Sequence, residues 1–360
     1  MENSQTVTNS HKAPTWPDLL TSLINGEDMT QENTAWAMSE ILSGNVSPAI
    51  MAGFMVALRA KGEIVEEVAG LADGMLAKAR PIELSRNAVD IVGSGGDRAN
   101  TVNISTMAAV VAAASGAKVI KHGNRAASSM CGTADCLEAL GLELMVAPEN
   151  QQRVLDECGI VFLFAPMYHS SLRHTAPTRR ELGVQTTFNF LGPLTNPARP
   201  NGQAIGMANK YIADLVAGVL AGRGDRGLVF HGEDGLDELT TTMPSDVWLF
   251  DEGKIVTTQL DPAELGLRAA EPQELVGGEP KMNAQVMRDL LAGKTGPVRD
   301  IVLLNAAAVL LAWDGPDLEA PIVDQMKDKL DRAAKAIDDG SGEKLLEKWI
   351  SLTQEIGPIK

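Results

Sequence analysis

A chain of 360 residues with 44% hydrophobic content has material for two domains, or for one large domain with a lobe. Aromatics reach only 4%, so the core is expected to pack small aliphatic side chains, as in a helix-rich α/β protein. A formal net charge of −16 argues against a nucleic-acid or anionic-membrane surface, and an anionic substrate would need a local reversal of that field. Cys131, Cys136 and Cys158 show no metal spacing and make no even disulfide set, which predicts reduced thiols in a cytoplasmic protein. The N-terminal stretch has no basic-then-apolar leader, and no apolar run approaches the ~20 residues of a spanning helix.

Residues 1–14 are polar and patternless and read as a flexible tail. From Trp16 to Arg80 apolar residues recur at helical spacing in segments near 18–24, 32–42, 48–61 and 63–79, with Gly26, Gly44 and Gly62 as stops. This predicts a small all-helical domain over 15–87. From Val89 strands and helices alternate: strands at 89–92, 118–120, 160–164, 204–206, 227–230 and 247–250, helices at 104–115, 134–140, 150–158, 174–182 and 211–221. That alternation predicts a larger α/β domain over 88–360 with a mainly parallel central sheet covered on both faces. Residues 251–278 read as irregular or edge structure, and 281–292, 298–313, 319–338 and 341–353 as helices.

Four polar motifs each follow a predicted strand, where open parallel sheets place their ligands. The first, DIVGSGGDRANTVNIST, runs from Asp90 to Thr106. It reads as strand, glycine-rich turn, hydroxyl-rich helix start and buried helix, a construction that gathers free N–H groups and a positive dipole end. It fits neither the dinucleotide glycine pattern nor a P-loop. A tight strand-to-helix turn is the plainer reading, but Thr101, Asn103, Ser105 and Thr106 exceed what one N-cap requires. The second, KHGNRAASSMCGTAD, brings Lys121 and Arg125 into an acidic protein beside Asn124, Ser128, Ser129 and Thr133, with Thr133 expected to cap the helix at 134–140. Singly these are surface charges and loop hydroxyls; together they read as a second phosphate cradle.

In the third motif, Ala165 to Ala198, Arg179 and Arg180 on one short helix cannot face the same way. Glu181 can pair with one, leaving the other for a carboxylate. His169 and His174 have no third ligand at metal spacing, and NFLGPLTNPA reads as a shaped connection. The fourth, HGEDGLDELTT, gathers Asp234, Asp237 and Glu238; a solvated acidic loop is the plainer reading, and Mg²⁺ completed by substrate phosphates the functional one. No nucleophile with an adjacent base is present. The inventory suits a transfer reaction in which the protein orients its substrates and neutralises charge.

The blocks GSGGD-(x)3-T-x-NIST, KHGNR-(x)2-SS, PTRRELG, FNFLGPLTNPA and HGEDGLDE, in this order from about Trp16 onward, resemble the anthranilate phosphoribosyltransferase family. The resemblance implies a helical domain, joined by about 174–195, beside a larger α/β domain, usually in a homodimer. It also implies transfer of the phosphoribosyl group of 5-phosphoribosyl 1-pyrophosphate (PRPP) to anthranilate, in tryptophan biosynthesis. The PRPP positions it implies are Gly93, Gly96, Asp97, Thr101, Asn103, Ile104, Ser105, Thr106, Lys121, His122, Gly123, Asn124, Arg125, Ala126, Ala127, Ser128, Ser129 and Thr133. Anthranilate is expected at Gly93, Asn124 and Arg179, and two Mg²⁺ ions per subunit at Ser105 and at Asp237 with Glu238. No residue is singled out as catalytic. The chain departs from the pattern at Ser94, Arg98, Ala126, Met130 and Cys131, and Arg98 either adds a phosphate contact or points to solvent. The rival readings are a pyrimidine nucleoside phosphorylase, against which KHGNR and Arg179 argue, and a non-catalytic nucleic-acid-binding relative, against which the charge argues.

Overall fold

A computed structural model of the chain describes residues 14–126 and 129–359. The tail expected over residues 1–14 therefore lies, apart from Pro14, outside the described residues, as do Ala127 and Ser128. Four helices open the chain: Trp16–Ile24, Gln31–Leu42, Pro48–Lys61 and Val65–Ala77. Thr15, Thr30 and Ser47 cap the first three through their hydroxyls, and Gly62 ends the third at φ +88°, where a side chain would be strained.

The remainder is built on one seven-stranded sheet. Its strands are β1 Val89–Gly93, β2 Val119–Gly123, β3 Ile160–Phe164, β4 Gly202–Gly206, β5 Arg226–Gly232, β6 Ser245–Asp251 and β7 Lys254–Leu260. They lie in the order β3-β2-β1-β4-β5-β6-β7, the first five parallel and the last two antiparallel. β7 makes the region after 251 an edge hairpin, its residues largely exposed. Side chains alternate across the sheet with period two. Leu228, Phe230, Val247 and Leu249 face a core formed with helices Ile104–Ala114, Pro297–Asp314 and Ile322–Asp338. Ile205, Val229, Trp248 and Phe250 face the other core, shared by helix Lys210–Gly222 and the four N-terminal helices.

Polar contacts tie the helical lobe to the sheet. The Thr187 hydroxyl donates to buried Glu63, Arg59 pairs with the same carboxylate at 3.0 Å, and the Tyr211 hydroxyl donates to the Glu63 carbonyl at 3.0 Å. Arg223 reaches back to Asp73 at 3.1 Å. The helix expected over 174–182 forms over Ala176–Leu182, starting two residues later because His174 closes a preceding 3-10 turn, Ser170–His174; Pro177 suits the first turn of the helix.

Candidate active site

In the order β3-β2-β1-β4-β5, the chain leaves β1 toward one side of the sheet and β4 toward the other. A crevice is expected at the carboxyl ends of these two strands. β1 delivers the glycine loop there, and the loop after β5 folds in from the side. Asp237 from that loop lies directly against both strands. A Cβ on Gly93 would stand 2.2 Å from the Asp237 Oδ2, and one on Gly206 would stand 1.6 Å from the Asp237 carbonyl oxygen. Neither contact is possible for a real atom, so two glycines at strand ends make room for one aspartate. Gly206→Ala is expected to displace this loop: turnover should be lost and the melting temperature should fall, by an amount equivalent to roughly 3 kcal/mol. Wild-type turnover in that variant would show the loop to be dispensable.

The Asp237 carboxylate accepts the Gly95 amide at 2.5 Å. Asp97, Asp237 and Glu238 each bring one carboxylate oxygen within 4.8 Å of the others. The third carboxylate is thus Asp97, from the glycine loop, and not Asp234. Asp234 is spent on its own loop, accepting from the Leu236 amide at 3.1 Å, the Thr240 hydroxyl at 2.6 Å and the Thr242 hydroxyl. Burial, reinforced by Asp97, pushes the Asp237 carboxyl up to about 6. Burial and then Asp237 push Glu238 well above the usual carboxylate range. The Glu238 Oε2 is buried with no hydrogen-bond partner. Three crowded oxygen donors, one of them orphaned, fit a hard divalent cation such as Mg²⁺.

Asn305, fully buried in helix Pro297–Asp314, fixes this loop from below. Its Oδ1 accepts the Leu239 amide at 3.1 Å and its Nδ2 donates to the Leu239 carbonyl at 2.8 Å. One asparagine among aliphatic neighbours gave no sign of this in the sequence. Asn305→Leu strands both backbone groups. It is expected to lower unfolding free energy in denaturant by about 3 kcal/mol; a loss below about 1 kcal/mol would mean that water replaces the amide.

Lys121 in the middle of β2 is buried, and its ammonium donates to the Ile91 carbonyl and lies 3.3 Å from the Ser105 Oγ. Burial draws its pKa down to about 8 against the pull of Asp90, Glu238 and Asp237. Thr106 and Thr133 share a hydrogen bond of 3.3 Å. Other expected residues make structural contacts. Asn103 binds the Cys131 carbonyl at 3.1 Å and accepts from Asn283 at 2.8 Å, while Thr101 forms a bridge with Val276. Arg125 pairs with Asp135 at 3.0 Å and Glu138 at 2.7 Å. Arg98 is exposed, at φ +60°. Thr133 is the first residue of helix Thr133–Leu140 and not its cap. Gly132 is the N-cap, and the Asp135 carboxylate accepts the Gly132 and Ala126 amides at 2.9 Å each, since a carboxylate reaches two loose amides where a hydroxyl reaches one.

A cleft of about 220 Å³ opens between sheet and helical lobe, lined by Gly93, His122, Asn124, Arg179, Phe188 and Pro193 among others. Gly93, Asn124 and Arg179 are therefore together. Arg179 is half-buried and makes no side-chain ion pair among the described residues; burial lowers its pKa. The expected pairing of Glu181 with one of the two arginines does not form among the described residues; Arg180 is exposed. Burial, then His169, presses the His122 imidazole down to about 3, so it is neutral at pH 7. Its ring stands edge-on to His169 at 5.3 Å, and His169 Nε2 meets the Thr195 carbonyl oxygen at 2.8 Å. The three cysteines are free and buried.

Residues 17–79 match the model of the helical bundle domain of a glycosyl transferase family, and residues 85–343 its α/β domain. The chain is 56% identical to an anthranilate phosphoribosyltransferase of Arthrobacter sp. (strain FB24), over 94% of this chain and 96% of the relative. It is 52% identical to that of Thermobifida fusca, over 94% and 97%. Among solved structures, it is similar to the anthranilate phosphoribosyltransferase of Thermus thermophilus, with TM-score 0.86, 40% identity and coverage of 94% and 99%. The Saccharomyces cerevisiae enzyme in complex with PRPP and Mg superposes with TM-score 0.84 at 27% identity, covering 94% and 98%.

Proposed function

The chain belongs to the anthranilate phosphoribosyltransferase family, and on that premise we propose that it transfers the phosphoribosyl group of PRPP to anthranilate, giving N-(5-phosphoribosyl)anthranilate and pyrophosphate in tryptophan biosynthesis. The observation that carries this reading is the place of Gly93. One side of it lines the cleft shared with Asn124 and Arg179, and the other abuts Asp237 of the acidic cluster. An aromatic acceptor and a metal-bound pyrophosphate leaving group would meet across one residue.

Anthranilate fits the cleft with its carboxylate on Arg179, whose planar fork suits it. Its ring would lie among Phe188, Pro193 and the edge of His122. The ribose phosphates would take Lys121 and the hydroxyls at Ser105, Thr106 and Thr133, together with the amides of Gly93 and Gly96. Arg125 is available to a phosphate at small cost, because its exposed ion pairs are worth at most about 1 kcal/mol each. Ser129 would extend the same cradle, while Ala127 and Ser128, which the resemblance also assigns to PRPP, lie outside the described residues. Ser105 on one side, and Asp237 and Glu238 on the other, would hold two Mg²⁺ ions, which neutralise charge on the leaving pyrophosphate when bound. The bond from C1 to the pyrophosphate oxygen breaks and the amine lone pair bonds to C1; the nitrogen loses its proton after attack. No strong base is required, consistent with a neutral His122. The working unit in this reading is a cytoplasmic homodimer, with residues 15–87 as the small domain and 88–360 as the large one.

The test is loss of anthranilate fluorescence on addition of PRPP and Mg²⁺, with each omitted in turn. Dependence on both is the expected result. Phosphorolysis of thymidine or uridine without that activity would favour the nucleoside phosphorylase reading.

A further inference from the structure

Asn196, in the turn NFLGPLTNPA, and the buried Asp90 have no part in the chemistry above, yet they meet at one point of the sheet. β1 stays in register with β4 through Gly93↔Gly206, and β2 with β3 through Gly123↔Phe164. Between β1 and β2 the register holds at Val89↔Val119 alone. A parallel ladder continued from there would join the Ile91 amide to the Ile120 carbonyl and the His122 amide to the Ile91 carbonyl. Side chains hold all four groups instead. Asp90 Oδ1 accepts the His122 amide at 3.2 Å, and the same carboxylate faces the Ile91 amide. Asn196 Nδ2 donates to the Ile120 carbonyl and to Asp90 Oδ2, each at 2.8 Å. The Lys121 ammonium takes the Ile91 carbonyl and reaches Ser105.

Two adjacent strands in the middle of a sheet are thus split by a polar wedge, and the split lies beneath the two loops that the proposed function assigns to PRPP. Buried backbone groups do not stay unpaired. Without the wedge, the strands would zip together and take the Ile91 carbonyl from Lys121. The geometry points to Asp90 and Asn196 as positioning residues for phosphoribosyl transfer, holding β1 and β2 apart so that the Lys121 ammonium is seated at Ser105. The inference rests on the assigned reaction for its kinetic arm only.

The test is a double-mutant cycle on the full chain, with Asn196→Ala, Lys121→Met and the pair, followed by the structure of Asn196→Ala. Asn196→Ala is expected to raise the PRPP KM about ten-fold or more and the anthranilate KM less than about three-fold. In the Lys121→Met background it should add no more than about two-fold, because both changes remove one effect. Multiplying effects, or equal rises in both KM values, would overturn the inference. So would a structure of Asn196→Ala with Lys121 still on Ile91 and Ser105, whatever substrate the protein uses. Absence of any turnover in the wild-type protein would instead count against the reaction, leaving the structural arm to decide. Should Asn196→Ala not fold, Asp90→Asn, which keeps the shape but sets amide against amide, takes its place in the same cycle.

Discussion

Replacing Asp237 by Asn and Glu238 by Gln together is expected to abolish turnover and, at neutral pH, to raise the melting temperature of the metal-free protein. The two effects have one cause. Both carboxyls titrate higher in the folded chain than in an unfolded one, Asp237 at about 6 against 3.8. Below pH ~4 both states hold these protons and no stability is lost. As pH rises through 6 the folded state gives up protons that it holds more tightly than the unfolded state does, so stability falls and the full loss remains above that range. For Asp237 alone the loss is on the order of 3 kcal/mol. A divalent cation offsets it by supplying the missing counter-charge, so millimolar Mg²⁺ should raise the wild-type melting temperature at pH 7.5. It should leave the double variant unmoved. Turnover should fall by at least about 10³-fold, or about 4 kcal/mol of transition-state stabilisation. Full activity in the double variant would rule out the metal assignment.

Arg179→Ala is expected to raise the anthranilate KM about 100-fold with the PRPP KM nearly unchanged. Arg179 is half-buried in the cleft and has no side-chain ion pair among the described residues. A charge-assisted, bidentate contact at such a place contributes about 2–3 kcal/mol. Arg179→Lys should recover little, since a point charge cannot present a planar fork to a carboxylate. Equal rises in both KM values would show that Arg179 supports the cleft without meeting the acceptor. The fold should persist: Thr178, its buried neighbour, packs the helix, while the Arg179 side chain lines the cleft.

The motifs that carry the site were legible because their chemistry is local. A strand entering GSGGD and a helix leaving it can be read from a short window, and so can the paired Asp237 and Glu238. What failed to show were partnerships across the sheet. Asp97 joins the acidic pair from a loop 140 positions earlier in the chain, while Asp234, three residues from Asp237, turns away to tie its own loop. Arg125 reads as a phosphate ligand from its neighbours in sequence, but its ion pairs with Asp135 and Glu138 on the next helix could not be read there.

Sequence by itself determined the alternation of strands and helices, the helical lobe before them and the chemical inventory of each strand-end loop, because hydrophobic period and turn residues act between near neighbours. The tertiary structure alone decided which carboxylates crowd one another, that Arg179 lies in the cleft with no side-chain ion pair among the described residues, and where two strands part to admit a lysine. Those outcomes depend on burial and on distance through space: an aspartate that would be an ordinary loop acid in water is buried against two strand-end glycines and crowded by Asp97 and Glu238.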